Sequence, residues 1–291
     1  MSLTDQQISY FKTFGFLKFP GLFAKEVNLI DNAFEQIYAN VVAEDPSKKH
    51  DDKRRSELGA DFVGQSEYLT SLIGDPRVGG IAGSVLGDDC NYASGVGTHY
   101  VGLTAWHSDR CDEGWGPDKI DEAWFPGRCG GKPHLTVNIA FYLDPLTRDT
   151  GCLRVIPGSY NPGDQYSESV HKVSAKSAYV DNSQELWGID GNEVPAFPLE
   201  VEPGDVLMFD MRIKHASFGG STRRRGIMYF FEERYEEADL PVLREFMETH
   251  NEERYGERIL ETIDSAGMHY LEQKLAVAET IRNSAGDVDT S

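Results

Sequence analysis

Between about residue 90 and residue 235 the chain breaks into short apolar runs, each closed by glycine, proline, asparagine or aspartate. THYVGLTAWHSD, HLTVNIAFYL, GCLRVI, AFPLEVEPGDVLMFD, RIKHASF and GIMYFFEERY supply seven or more strands in this way. They imply a mainly β core of the double-stranded β-helix type, a cupin-like jelly roll in which two antiparallel sheets face each other.

The flanks read differently. Thr4-Asp5-Gln6-Gln7 has the form of a capping box, and Ile8, Phe11 and Phe14 follow at helical spacing towards Gly15. FLKFPGLF breaks at Pro20-Gly21, after which Val27, Ile30, Phe34, Ile37 and Tyr38 mark a second helix. EDPSKKHDDKRRSE, residues 44 to 57, has no apolar periodicity and mixes both charge signs, as a solvated loop does. Beyond residue 236 Leu243, Phe246 and Met247, then Tyr255, Ile259, Leu260 and Ile263, and finally Leu271, Leu275, Val277 and Ile281 return to helical spacing. The expected organisation is a single domain over 1–235, with a helical cap over 1–89 and the jelly-roll core over 90–235. A C-terminal helical extension, 236–291, packs on the same domain. Its apolar stripe calls for a partner surface, either a second copy of the chain in a homo-oligomer or the mouth of the site.

The 291 residues carry a formal net charge of −20, which opposes attraction to nucleic-acid phosphates and to anionic membrane surfaces. No stretch approaches the apolar length of a membrane span, and MSLTDQQISYFKTFGF lacks the basic and apolar regions of a secretory signal. A cytoplasmic protein acting on a small molecule is expected. Cys90, Cys111, Cys129 and Cys152 have no C-x-x-C spacing and read as free thiols.

Eight histidines and 24 aspartates in this length give His-x-Asp somewhat less than once by chance. The chain has two copies, His50-Asp51-Asp52 and His107-Ser108-Asp109, so context must separate them. The first lies in the charged loop, where nothing holds two side chains on one face. The second lies in TAWHSD, where an extended backbone projects residues i and i+2 from the same side. A third ligand would complete a facial triad that leaves open positions on an octahedral Fe(II). His215, in RIKHASF after the turn Pro203-Gly204-Asp205, is the candidate, and a satisfied core histidine is the alternative. Ser217 lies two residues on, and Arg225 opens GIMYFFEERY. Alternation puts Arg223 and Arg225 on one face and Arg224 on the other. Arg225 with Ser217 could grip a carboxylate by a bidentate fork plus a hydroxyl.

Taken together, LTDQQISYFKTFGFLKFPGLF, WHSD, DTGCLRVIPGSY, VEPGDVLMFD, and His215 followed by Ser217 and Arg225 resemble the phytanoyl-CoA dioxygenase-like family of Fe(II)- and 2-oxoglutarate-dependent oxygenases, over roughly residues 4 to 235. The resemblance implies that His107, Asp109 and His215 ligate iron and that Arg225 and Ser217 bind the distal carboxylate of 2-oxoglutarate. Asn138 would help hold the co-substrate, with O₂ as the second co-substrate. Gly151, Pro157, Gly158 and Ser159 would be architectural. The implied reaction is hydroxylation with release of succinate and CO₂; a carboxylate at Asp109 leaves no additional position for a halide. Three consecutive arginines and the long C-terminal extension depart from the family pattern.

RCDEGWGPDKIDEAWFPGRCGGK, residues 110 to 132, is long, glycine-rich and aromatic, as a loop over a pocket is. Arg110, Trp115 and Trp124 are its candidate substrate contacts, and its mixed charges suit a small polar metabolite. Two other classes stay open at this point: a catalytically silent metal-binding jelly roll, and a cupin-type enzyme that needs no 2-oxoglutarate.

Overall fold

The computed structural model describes residues 1–50, 56–59, 62–109, 128–129, 132–133, 135–160, 181–220, 223–250 and 253–286. The first helix, α1 (Asp5–Phe14), starts at the capping box: Thr4 accepts from the Gln7 amide and the Gln7 side chain accepts from the Thr4 amide. It stops at Gly15, whose φ of 83° is a left-handed conformation that costs glycine little. Strand β1 (Phe16–Phe19) follows, then α2 (Val27–Glu44), which buries Ile30, Phe34 and Ile37. The short α3 (Glu67–Ser71) and α4 (Gly79–Leu86) complete the N-terminal cap, with β2 (Ser56–Glu57) before them.

The expected β core is present: β3 (Asn91–Tyr100), β4 (Thr104–His107), β5 (Arg128–Cys129), β6 (Lys132–Pro133), β7 (Thr136–Tyr142), β8 (Leu153–Val155), β9 (Phe197–Leu199), β10 (Val206–Asp210), β11 (His215–Ser217) and β12 (Arg224–Glu232). Two of the long sequence runs each divide at a turn. THYVGLTAWHSD becomes the end of β3 and β4 across Gly102 (φ 76°), and AFPLEVEPGDVLMFD becomes β9 and β10 across Gly204 (φ 96°). The large sheet has the order β1-β10-β7-β12-β3-β2, the small one β4-β11-β8-β9, and β5-β6 form a ribbon. Every pairing in them is antiparallel. The fold is a jelly roll with flanking helices.

Period-two alternation divides the large sheet between two cores. Val137, Ile139 and Phe141 of β7 and Ile227, Tyr229 and Phe231 of β12 join Phe23, Ile30, Phe34 and Ile81 in the core beneath the helices. Ala140, Tyr142, Phe209 and Met228 instead meet Leu153, Val155 and Leu199 of the small sheet, inside the sandwich. The large sheet is therefore apolar on both faces. Helices Leu240–His250, Glu253–Thr262 and Glu272–Gly286 follow β12, and Ile259 and Leu271 from this region enter the helix-side core. Among the described residues no helix is long and apolar enough to cross a membrane. Cys90 and Cys152 are free and buried; Cys111, and the side chain of Cys129, lie outside the described residues.

Candidate metal centre and its neighbourhood

His107 ends β4 and His215 begins β11, and the two stand directly opposite in the antiparallel register. Their rings lie 4.2 Å apart, centroid to centroid. Asp109, just past β4, is held by its amide, which donates to the Met211 carbonyl at 3.0 Å. Its carboxylate bridges the histidines: Oδ1 is 3.3 Å from His107 Nε2 and Oδ2 is 3.4 Å from His215 Nε2. One ligand atom from each of the three residues lies within 4.8 Å of the other two.

The tautomers follow from the neighbours. His107 Nδ1 is 2.7 Å from the Ala105 carbonyl and His215 Nδ1 is 2.9 Å from the Ile213 carbonyl. A carbonyl only accepts, so each Nδ1 carries the proton and each Nε2 presents a lone pair towards Asp109. Burial lowers the pKa of His107, and His215 beside it pushes the same way, which keeps the imidazole neutral. Two imidazoles presenting Nε2 and one carboxylate, grouped between β4 and β11, are a donor set for a divalent transition metal. His50, the histidine of the other His-x-Asp, lies against His99 and Tyr38 on the helix side of the large sheet, and Asp52 lies outside the described residues.

The arginines arrange themselves differently from the expectation. Arg225 shares a face with Ile227 and Tyr229, under α2, where its guanidinium pairs with Asp144 at 2.8 Å, Glu35 at 2.7 Å and Asp31. It also lies 5.9 Å over the Phe34 ring. Arg225 and Ser217 are not brought together, and three carboxylates already occupy the arginine. Arg223 is half-exposed and pairs with Glu35. Arg224, on the same face as Met228, points into the sandwich: its Nη1 donates to Ser217 Oγ at 2.6 Å and to the Gly151 carbonyl at 2.8 Å. The Arg224 guanidinium also lies 5.3 Å over Tyr100. The cation on Ser217's side of the sheet is thus Arg224, one residue before the one chosen from sequence.

Asn138 stands opposite Phe209 on the inner face, and the Phe209 ring is 5.2 Å from that of His215. Asn138 Oδ1 is buried without a hydrogen-bond partner among the described residues. Gly151 and Ser159 are built into the scaffold: Gly151 has φ 99°, and Ser159 Oγ accepts from the Lys214 amide at 2.7 Å, fixing the start of β11. Arg110, Trp115 and Trp124 lie outside the described residues.

The profile of the family described as phytanoyl-CoA dioxygenase (PhyH) matches residues 11–226. The chain belongs to the phytanoyl-CoA dioxygenase family. No curated protein matches it in sequence at a significant level. Among solved structures it is similar to EctD from S. alaskensis with 2-oxoglutarate and 5-hydroxyectoine, at 21% identity and TM-score 0.56, over 80% of this chain and 78% of that one. It is also similar to HygX from Streptomyces hygroscopicus with nickel and 2-oxoglutarate bound, at 20% identity and TM-score 0.55, over 81% and 89% of the two chains. A third is SnoK, a non-heme alpha-ketoglutarate-dependent carbocyclase from nogalamycin biosynthesis, at 17% identity and TM-score 0.54, over 79% and 84%. At these identities the likeness speaks for the fold.

Proposed function

We propose that the protein is a non-haem Fe(II)- and 2-oxoglutarate-dependent dioxygenase that hydroxylates a small polar metabolite and releases succinate and CO₂. The observation that carries this reading is a pairing on the inner face: a His107–Asp109–His215 triad at one point and the Arg224–Ser217 pair two residues along β11 from His215. Family membership and the 2-oxoglutarate-bound relatives support it.

In this reading His107 Nε2, His215 Nε2 and an Asp109 oxygen hold the iron. When bound, Fe(II) supplies the oxidising chemistry, coupling oxidative decarboxylation of 2-oxoglutarate to attack on a substrate C–H bond. Arg224 and Ser217 bind the distal carboxylate, a charge-assisted contact inside a water-poor core. The guanidinium is kept in place by Gly151 and Tyr100. Asn138 offers its amide to the co-substrate nearer the metal. Phe209, Tyr142 and Met228 pack inside the sandwich on the same face and keep water from the site. Arg110, Trp115 and Trp124 are the proposed contacts to the primary substrate.

The test is succinate formation from 2-oxoglutarate with Fe(II) and O₂, screened across small polar metabolites. Wild-type protein is expected to release succinate only when iron and 2-oxoglutarate are both present, and Asp109→Ala to release none while unfolding at a similar temperature. Iron-independent succinate release, or equal release by Asp109→Ala, overturns the reading.

A further inference from the structure

The inner face of the large sheet stays polar beyond the triad, and the polar strip ends on a side chain from the C-terminal helices. Two backbone hydrogen bonds tie the strip to the metal centre: the Asp109 amide donates to the Met211 carbonyl and the Met211 amide to the Thr136 carbonyl, both at 3.0 Å. Thr136 lies two residues before Asn138 on β7, so the two side chains leave the same face. Thr136 is 1% exposed, and its Oγ1 has no hydrogen-bond partner among the described residues. A valine there would fill the same volume without a hydroxyl to satisfy. Directly opposite Thr136 on β12 stands Glu232, which is 0% exposed. Opposite Glu232 on β3 stands Asn91.

Both of these face the start of the Glu272–Gly286 helix. Glu232 Oε1 is 3.0 Å from Lys274 Nζ, and Asn91 Nδ2 donates to Gln273 Oε1 at 2.8 Å. Gln273 in turn accepts from the Tyr235 amide and donates to the Tyr235 carbonyl, which fixes the helix where β12 ends. The strip from Asn138 through Thr136 to Glu232 and Lys274 therefore runs away from the Arg224–Ser217 end. It begins where Asp109 is anchored and is completed by a residue outside the family match, which stops at residue 226.

We propose that Thr136, Glu232 and Lys274 form the wall that orients the primary substrate, and that they take a small hydroxylated, amino-bearing or zwitterionic molecule rather than an acyl chain. The proposal rests on the metal and co-substrate reading given above and deepens it. A hydroxyl, a carboxylate and an ammonium offer both donors and acceptors, and they leave the wall with no net charge. These groups are already buried, and an aliphatic chain laid beside them would return no hydrogen bond to the unpartnered Thr136 hydroxyl. The C-terminal helix is then part of the site, because it supplies Lys274.

Two panels of probes test this by the rise in unfolding temperature they cause: L-amino acids, betaines, polyols and amino sugars in one, medium- and long-chain fatty acids and their CoA thioesters in the other. Each panel is run on metal-free protein and on protein loaded anaerobically with Fe(II) and 2-oxoglutarate. The polar panel is expected to contain the stabilising compound. Thr136→Val and the charge-free double variant Glu232→Gln/Lys274→Gln are expected to raise its KM about tenfold or more, the size of one lost hydrogen bond to a charged or buried partner. The KM for 2-oxoglutarate stays within about twofold, and Thr136→Ser restores binding. The proposal is overturned if no polar compound stabilises the protein, if only acyl compounds do, or if both variants bind the polar compound as wild type does. Failure of the iron reading shows separately, as the absence of any stabilisation by Fe(II) plus 2-oxoglutarate before a probe is added.

Discussion

Arg223, Arg224 and Arg225 are chemically identical, and their neighbours divide them between two faces of the sheet. Arg225 neutralises Asp31, Glu35 and Asp144 under α2, whereas Arg224 reaches Ser217 inside the sandwich. Arg224→Ala is expected to raise the KM for 2-oxoglutarate by about 30-fold to several thousand-fold, the loss of roughly 2 to 5 kcal/mol from a desolvated charged contact, with little change in iron affinity. Arg225→Ala is expected to cost about 2 kcal/mol of stability and leave that KM nearly unchanged. Succinate assays and thermal unfolding of the two variants check this, and the reverse pattern would return the anchor to Arg225. His107, Asp109 and His215, singled out in the sequence, lie together in the structure, although Asp109 sits just past the end of β4. Sequence could not choose among the arginines, since alternation separates Arg224 from Arg225 without saying which face is inside. A second residue-scale outcome concerns His99, which stacks on Phe34 and meets Tyr38 at a tilt and His50 edge-on. Burial lowers its pKa to about 3, and His50, Arg223 and Arg225 act in the same direction. In the unfolded chain the imidazole titrates near 6.5. Between those values the unfolded state binds a proton that the folded state refuses, so stability falls as pH falls, by at most about 1.4 kcal/mol per pH unit. His99→Phe should flatten this acid-side slope in unfolding curves taken from pH 7.5 to 5; an unchanged slope would assign it to other groups.

At the scale of elements, β12 shows why part of the site was hidden. Ile227, Tyr229 and Phe231 on one face and Met228 and Phe230 on the other are all apolar, because the large sheet is covered by helices on one side and by the small sheet on the other. The pattern reads as a strand, but its two faces are interchangeable in sequence. What distinguishes them is non-local: α2 brings Asp31 and Glu35 to one side, and β11 brings Ser217 to the other. Thr136 and Glu232 were missed for a similar reason, since a threonine or glutamate at a strand end reads as an exposed terminus until the register places them opposite each other. Local signals fared better; the capping box at Thr4 and the stop at Gly15 are where the sequence put them. The turn before β8 gives an element-scale prediction. Gly151 has φ 99°, and a Cβ on it would lie 2.7 Å from Arg224 Nη1. Gly151→Ala should therefore cost about 1 to 3 kcal/mol in stability through backbone strain. It should also weaken 2-oxoglutarate binding by displacing the guanidinium. If calorimetry shows the stability loss alone, Arg224 has room to adjust and the turn is only a scaffold.

Among the described residues, helices from both ends of the chain cover one face of the jelly roll's large sheet. Ile259 and Leu271 share a core with Phe62, Leu69 and Ile73 of the N-terminal cap, and Gly267 sits against Gly74, where a Cβ on Gly74 would lie 2.5 Å from the Gly267 amide nitrogen. A chain ending at Tyr235 should expose that core and leave Glu232 without Lys274. It is expected to aggregate or to unfold at a markedly lower temperature, read by sedimentation and thermal melting. A soluble, equally stable fragment would make the C-terminal helices an appendage, against both the packing and the proposed wall. The helical character of this extension was legible from its apolar spacing, but its attachment was not, because it depends on Gln273 meeting Asn91, 182 residues away, and on Lys274 meeting Glu232 at the end of β12. The central claim is that one pocket binds iron through His107, Asp109 and His215 and 2-oxoglutarate beside it. The most direct measurement is an anaerobic titration of 2-oxoglutarate into the Fe(II)-loaded protein, followed by the visible charge-transfer absorption of the iron chelate. The account predicts a saturable band with one equivalent of iron in the wild type, none in Asp109→Ala, and a band needing far more 2-oxoglutarate in Arg224→Ala. A wild-type protein that takes up no iron, or gives no band with 2-oxoglutarate, would contradict it.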